Sequence, residues 1–198
     1  MARRRGSHSD ITGPKIRKSA LRLIAQHGFA AVSMRKIAED VGLQVGALYN
    51  YTPDKQSLLF DLMESHMVDL LAELNGLDPI DDPIARLDQF VRFHISYHLP
   101  RRDEVFVSYM ELRNLSSENF DKIQGLRSEY EGALEAILEV GETSGDFRFK
   151  DRHVTTLSII AQLTGITNWY RDDGRLTIDE VATIYCDLIQ RSVSSGQA

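Results

Sequence analysis

The chain has 198 residues, a net charge of −6 and one cysteine, Cys186. This length allows one large or two small domains, and we expect two. A single cysteine forms no internal disulfide and matches no zinc-ligand spacing, which argues against cysteine chemistry. The sequence lacks a run of about 18 apolar residues, and its start, MARRRGSHSD, lacks the apolar segment of a secretory signal. We therefore expect a soluble, cytoplasmic protein with no membrane partner.

Charge is distributed unevenly along the chain. Residues 1–55 hold ten Lys or Arg and four Asp or Glu, so their net charge is +6 and the remainder carries −12. A basic segment joined to an acidic one is typical of a phosphate-binding module attached to a second domain. A solvated surface with a disordered basic tail explains the charges equally well. Within a basic arm at residues 1–10, Arg3, Arg4 and Arg5 are candidates for minor-groove or phosphate contacts.

Apolar residues at helical spacing, punctuated by Gly and Pro, predict an all-α protein. Gly28 and Gly42 stand where left-handed helix caps are wanted, and Ser33 is a predicted N-cap. Thr52 and Pro53 are predicted to be the N-cap and first-turn residues of a long helix. The first four predicted helices span residues 14–27, 34–41, 44–51 and 53–75.

The segment LDPIDDP is the clearest break in the chain, because its two prolines interrupt a helix. Asp82 before Pro83 is a good start for the next helix, which continues toward Pro100. The spacing of Thr177 and Glu180 predicts a capping box at the last helix. The remaining predicted helices span residues 103–115, 117–142, 152–170 and 178–193.

The two short helices at residues 33–51 fit a helix-turn-helix, in which a braced second helix enters the DNA major groove. Small residues in the second helix let the backbone approach DNA, and polar ones can reach base edges or phosphates. These residues are Gln44, Gly46, Ala47, Tyr49, Asn50 and Tyr51. An ordinary pair of packed helices is the alternative that composition leaves open.

The string GFAAVSMRKIAEDVGLQVGALYNYTPDKQSLLFDLM resembles the amino-terminal domain of the tetracycline-repressor (TetR) family over about residues 12–65. The matching elements are the G-F pair, the S-x-x-x-I-A core, the G-L-x-x-G-x-L-Y turn and the D-K-x-x-L helix start. The resemblance implies a three-helix DNA-binding domain at residues 1–55. It places phosphate contacts at Ser33, Tyr49 and Lys55. The other implied interface residues are Arg35, Gln44, Val45, Gly46, Ala47 and Asn50.

Two departures from the family pattern limit what the resemblance implies. Gln44 stands where the family often has Ser or Thr, and Asn50 where it often has His or Tyr. The operator sequence of a relative therefore cannot be transferred to this chain.

The same resemblance implies that residues 56–198 form a helical bundle that binds a ligand and dimerises through its last two helices. A two-fold dimer suits a palindromic operator, because two recognition helices must meet successive major grooves. The predicted dimer-interface residues are Leu157, Ile160, Tyr185, Leu188 and Ile189.

The ending NWYRDDGRLTIDEVATIYCDLIQRSV resembles a subgroup that controls lipid, sterol or acyl-CoA breakdown, which suggests an acyl-CoA or related hydrophobic effector. Each candidate ligand residue also has a structural role open to it, as a solvated charge or as core. His94 and His98 are four apart on one helix face, but no third ligand matches them, so we predict no metal and no cofactor. The candidate ligand-binding residues are His94, His98, Arg102, Tyr109, Arg113, Asn114 and Trp169, and further polar candidates are Tyr130, Gln162, Asn168 and Arg171.

The sequence thus predicts a transcription regulator, usually a repressor, rather than an enzyme, since no glycine-rich phosphate loop, nucleophile elbow or HExxH motif is present. The alternative is a DNA-associated scaffold of the same fold that recruits a protein partner without a small-molecule effector.

Overall fold

The computed structural model describes the backbone of residues 6–194 and the side chains of residues 11–194. Within that range every named element is helical, which confirms the predicted all-α class. Of the predicted basic arm at residues 1–10, residues 1–5, which include Arg3, Arg4 and Arg5, lie outside the described residues, and residues 6–10 belong to the first helix. The helices are α1 Gly6–His27, α2 Met34–Val41, α3 Val45–Leu48, α4 Lys55–Asn75, α5 Pro83–His98, α6 Arg102–Met110, α7 Ser117–Ser144, α8 Arg152–Trp169 and α9 Ile178–Val193, with 3₁₀ turns at Leu99–Arg101 and Leu112–Asn114.

Predicted helix ends are confirmed where a side chain or a glycine satisfies the terminal backbone groups. Gly28 and Gly42 adopt the left-handed conformation, with φ of 80° and 75°. The Ser33 hydroxyl accepts the Lys36 N–H at 3.1 Å. Thr177 and Glu180 form the predicted capping box at the start of α9.

Helices α1, α3 and α4 have boundaries that differ from the prediction. Helix α1 begins at Gly6 rather than at Pro14, which lies inside the helix. Helix α3 ends at Leu48, and the chain continues as tight turns in which the Tyr51 N–H reaches the Leu48 carbonyl at 2.9 Å. Helix α4 begins at Lys55, because the carboxylate that caps it belongs to Asp54, whose Oδ1 accepts the Ser57 N–H at 2.7 Å.

The predicted helix over residues 103–115 is also interrupted. Helix α6 ends at Met110, and Leu112–Asn114 forms a 3₁₀ turn. The Asn114 N–H bonds to the Glu111 carbonyl at 2.9 Å, three residues back, which tightens the backbone after α6.

Packing divides the chain into two compact units, each discontinuous in sequence. The head unit ends at Val68 and also contains Asp103–Gln124, while the body unit contains Asp69–Arg102 and continues from Gly125. The functional boundary expected after residue 55 stays a prediction. Among the helices in the described range, none is long and apolar enough to span a membrane.

The core of the head unit joins α1, α2 and α3. Ile24, Ile37 and Leu48 are each fully buried. On the rim of this core, the Asp40 carboxylate ties α2 to α1, because it accepts the Ser19 hydroxyl at 2.6 Å and an Arg22 N–H at 2.6 Å. These two hydrogen bonds hold the pKa of Asp40 below its ordinary value.

Helix α5 is the centre of the body unit. It packs against both α8 and α9, and Leu87, Phe90 and Val91 on it are almost fully buried. The thiol of Cys186 on α9 lies 3.8 Å from the Asp88 carbonyl of α5, and burial raises the pKa of this thiol to about 12. A thiol with such a pKa is an unreactive packing group at neutral pH.

The Asp40 tie predicts a pH-dependent stability of the head unit. A carboxyl with a lowered folded-state pKa contributes stability above its unfolded-state pKa of about 3.9. That contribution is lost as the pH falls below this value and through the folded-state pKa. We expect Asp40→Asn to lower the melting temperature at neutral pH, and its deficit from wild type to shrink toward about pH 2.

Circular dichroism of the full chain across this pH range measures the effect. Asp187→Asn on α9 is the matched control, because Asp187 also accepts from an arginine, Arg191, at 2.9 Å on an exposed surface. A deficit for Asp40→Asn that is independent of pH would contradict the assignment.

Candidate nucleic-acid interface and body residues

Helix α3 is a single turn that depends on its surroundings. A helix of four residues has no independent stability in water, because ordering the backbone of the first turn costs more free energy than its hydrogen bonds contribute. Leu48 anchors it, with its side chain fully buried in the head core. The other residues of α3 and its flanking positions face outward: Gln44, Val45, Gly46, Tyr49 and Asn50 are exposed, and Ala47 is half-buried.

Ser33, a predicted phosphate contact, is exposed at the start of α2 and uses its hydroxyl oxygen to cap that helix. The Arg35 side chain is 81% exposed and pairs with Glu39 on the same helix at 2.9 Å. An exposed pair of this kind is worth little, so Arg35 can leave it for a phosphate at small cost.

Lys55 lies at the first position of α4, and its amine is turned toward the protein. Nζ donates to the backbone carbonyls of Phe29 at 2.7 Å and Val32 at 2.8 Å, and lies 4.0 Å from the centroid of the Phe29 ring. Burial lowers the pKa of Lys55, and the charge of Glu111 partly offsets this. Two of its three N–H donors thus bind carbonyls of the α1–α2 turn, and the third N–H donor is left for a phosphate.

Two predicted ligand residues, His94 and His98, meet in the interior of the body unit. Their rings stack with centroids 4.1 Å apart, and both side chains are buried. His94 Nδ1 lies 3.0 Å from the Tyr130 hydroxyl and Nε2 lies 3.3 Å from the Thr164 hydroxyl. His98 Nδ1 lies 2.8 Å from the His94 carbonyl. We call His94, His98, Tyr130 and Thr164 the buried polar cluster.

Of the two other members of this cluster, Tyr130 is a candidate ligand group in the sequence, whereas Thr164 was not identified there. Tyr130 occupies the apolar face of α7 together with Ile123, Leu134 and Ile137, all of them buried. A tyrosine at a core position of an amphipathic helix needs a partner for its hydroxyl, and that was the available signal. No comparable signal marked Thr164, because threonine is common on helix surfaces.

The other predicted ligand residues do not all gather in one place. In the body unit, Arg102 pairs with Asp172 at 3.0 Å, and Trp169 is 49% exposed. Tyr109, Arg113 and Asn114 belong to the head unit. The Asn114 amide is held by the Glu111 carboxylate at 2.5 Å, so its role in the described structure is internal.

One polar group on α6 lacks an intramolecular partner in the described residues. The Ser108 hydroxyl is buried, its side chain is 3% exposed, and no donor or acceptor in that part of the chain bonds to it. A buried hydroxyl without a partner costs free energy, and sequence analysis did not identify Ser108 as such a group.

Burial separates the predicted dimer residues into two groups. Ile160 is 6% exposed and Ile189 is fully buried, so both pack in the core of the body unit within the single chain, and their assignment to the interface stays a prediction. Leu157 and Leu188 are 41% and 50% exposed, and Tyr185 is half-buried. Neighbouring exposed apolar residues that the prediction omitted are Val154 on α8 and Ile184 on α9.

Within the described residues, no three His, Cys, Asp or Glu side chains are arranged to hold a metal ion. The most distinctive site is in the head unit, where a one-turn helix with an exposed polar face follows a capped helix and a glycine turn. This arrangement defines a helix-turn-helix DNA-binding protein.

Residues 16–62 match the family described as bacterial regulatory proteins, tetR family. Residues 80–193 match the tetracyclin repressor-like, C-terminal domain. Together these matches cover most of the chain, which therefore belongs to the TetR family. The protein is a DNA-binding transcription regulator and not an enzyme.

Named relatives and solved structures agree with the family. The HTH-type transcriptional repressor KstR2 of Rhodococcus jostii is 24% identical over 179 residues, which are 89% of this chain and 88% of that protein. A tetR-family regulatory protein from Rhodococcus RHA1 superposes with a TM-score of 0.87 at 27% identity, over 94% of this chain and 98% of the other. AibR in complex with isovaleryl coenzyme A and operator DNA has a TM-score of 0.79 at 26% identity, over 89% and 97%.

Proposed function

We propose that the protein is a homodimeric repressor that binds a palindromic operator and leaves it when an acyl-CoA-like hydrophobic effector binds. The observation that carries the DNA-binding part is the exposed surface of residues 44–50, anchored by Leu48 and preceded by the exposed Arg35 on α2. Because its partner is chromosomal DNA, the protein would act in the cytoplasm.

On this proposal, residues of α3 and its flanking positions contact bases, while other residues in the range 33–55 contact phosphates. The Gln44 and Asn50 amides present the donor and acceptor pair that suits adenine in the major groove. Gly46 and Ala47 keep side-chain bulk off the backbone at its closest approach. Ser33, Arg35, Tyr49 and Lys55 supply the phosphate contacts, which set register and orientation but carry no base information.

Dimerisation would bury the exposed apolar residues of α8 and α9. Val154 and Leu157 are three apart and share one face of α8, while Ile184 and Leu188 are four apart and share one face of α9. Large apolar side chains that are exposed on two helices consecutive in the sequence are typical of a protein–protein interface. An isologous dimer would place two heads on a two-fold axis, as a palindromic operator requires.

The effector part of the proposal is supported by the buried polar cluster. Hydrogen-bonding groups are expensive to retain in an apolar interior, and ligand pockets typically combine an apolar lining with a few such groups. The similarity to AibR, which is described with isovaleryl coenzyme A, favours a coenzyme A thioester as the effector class.

A test of DNA contact compares Arg35→Ala, Asn50→Ala and the control Arg191→Ala. Arg35→Ala should weaken binding to every sequence alike and reduce the salt dependence by about 0.9 in log–log slope. Asn50→Ala should weaken operator binding by about 1–3 kcal/mol while binding to unrelated DNA stays unchanged.

Fluorescence anisotropy at several KCl concentrations measures both effects, with an operator selected from a random pool by the wild-type protein. Arg191 is a suitable control because it is 76% exposed and pairs with Asp187 four residues away, as Arg35 pairs with Glu39. Wild-type binding without salt dependence, or equal losses for Arg35→Ala and Arg191→Ala, would contradict the proposal.

A test of dimerisation is Leu188→Asp, which places a charge in the proposed apolar interface. A buried unpaired carboxylate is strongly unfavourable, so the variant should be monomeric by light scattering and should bind operator more weakly. The control is Val68→Asp, since Val68 is 48% exposed on α4 and lies outside the proposed interface. A dimeric Leu188→Asp protein would overturn this interface.

The effector class is tested by thermal unfolding with isovaleryl-CoA, long-chain acyl-CoA and sterol-derived acyl-CoA. A ligand at about 100 times its dissociation constant stabilises the folded state by about 2.7 kcal/mol, and the same compound should release the operator. Free coenzyme A and the free acids are the controls. If no acyl-CoA raises the melting temperature, the effector class is wrong while the DNA-binding proposal stands.

A further inference from the structure

Two charged side chains from distant parts of the chain bind Phe29, a residue of the turn between α1 and α2. One binds its backbone N–H and the other its backbone carbonyl. The Phe29 N–H donates to Glu111 Oε1 at 3.1 Å, and the Phe29 carbonyl accepts from Lys55 Nζ at 2.7 Å. The Phe29 side chain is itself only 8% exposed. Glu111 lies 82 positions away from Phe29 along the sequence, and all three residues belong to the head unit.

Glu111 is held in place by its own surroundings. Its side chain is buried, and its second oxygen, Oε2, accepts from the Asn114 amide at 2.5 Å. Asn114 is fixed in turn, because its backbone carbonyl accepts from the Gln56 amide. The Gln56 Oε1 accepts the Ser116 N–H at 3.2 Å. Residues 111–116 are thus joined both to the start of α4 and to the α1–α2 turn.

A second tie holds α6 to α4. His66 Nδ1 on α4 lies 3.0 Å from Glu104 Oε2 on α6, and the His66 side chain is only 3% exposed. Helix α6 and the turn after it are therefore joined to other parts of the head unit at both ends. This limits the freedom of Glu111 to move independently of Phe29.

The α1–α2 turn leads directly into the DNA-binding element. Val32, three residues after Phe29, bonds to the same Lys55 amine, and Ser33 then caps α2. A hydrogen bond between a backbone amide and a carboxylate is stronger than one between neutral groups, so Glu111 restricts the turn more tightly than a neutral acceptor would. A shift of this turn changes the direction in which α2 and α3 leave it.

We propose that Glu111 is a positioning residue for operator binding, which sets the orientation of the helix-turn-helix through the Phe29 peptide without contacting DNA. This inference rests on the proposed operator binding. It differs from that proposal in placing a determinant of operator affinity outside residues 33–55, in the segment that follows α6.

The test compares Glu111→Ala and Glu111→Gln with the control Glu118→Gln in the full-length protein. Glu118 is an exposed carboxylate of the same unit that pairs with Lys122 at 2.8 Å. Affinity is measured for the selected operator and for a scrambled duplex, each at several salt concentrations. We expect Glu111→Ala to weaken operator binding by about tenfold or more, from the loss of one charged hydrogen bond. Glu111→Gln should show a smaller loss.

A positioning role and a merely structural role give different results. If Glu111 positions the turn, binding to the scrambled duplex and its salt slope stay at the wild-type values, because the phosphate-contacting cations remain. Hydrogen exchange of the peptide containing Phe29 should also quicken in both Glu111 variants but not in Glu118→Gln. Should Glu111→Ala fail to fold, the same comparison is made on Glu111→Gln.

Two results would overturn the inference. One is wild-type operator affinity in both folded Glu111 variants, and the other is an equal loss for operator and scrambled duplex. Failure of the wild-type protein to bind any selected duplex would instead overturn the proposed function, so the two failures are distinguishable.

Discussion

The helix that faces the proposed DNA surface is one turn long, and the head unit is organised around holding it. Val45–Leu48 contains too few backbone hydrogen bonds to be stable alone. Its position therefore comes from the burial of Leu48 and from α2, which is capped by Ser33 and ended by Gly42. Exposed residues on α3 can be exchanged without disturbing the fold, which lets a family vary its operator on a constant scaffold.

Polar contacts carry much of the remaining support in the head unit. Asp40 ties α2 to α1, Lys55 ties α4 to the α1–α2 turn, and Glu111 closes the same turn from the other side. Each of these contacts is directional, so it specifies an orientation, whereas apolar burial tolerates small rotations. A charged group that is partly buried also becomes costly once its partner moves away, which favours one arrangement of the head over nearby alternatives.

In the body unit, apolar residues on the same helix lie either in the core or on the surface. On α8, Ile159 and Ile160 are buried within the chain while Leu157 is exposed, and on α9 Ile189 is buried while Leu188 is exposed. The buried set builds the core around α5, and the exposed set is free for a second copy. The buried polar cluster lies among core residues, so a ligand that reached it would replace hydrogen bonds within the protein by its own.

Sequence alone determined the features that depend on neighbours a few residues away. These features are helix periodicity, the caps at Ser33, Gly28 and Gly42, the capping box at Thr177 and the ordered motifs of the head. Each depends on residues within a turn or two of helix. They were predicted correctly for that reason. The length of α3 and the start of α4 were missed, because competing turn and cap residues stood side by side and small energies decided between them.

Only the tertiary structure decided which members of a wide apolar face are core and which are surface, and which distant side chains meet. Ile160 and Leu157 cannot be told apart by hydropathy, since the difference lies in the helix that packs against them. The partners of Lys55 and Phe29 include Glu111, and nothing in the local sequence encodes a contact across 82 positions. Such contacts depend on how whole helices pack, and this is set by the summed burial of the core rather than by any short pattern.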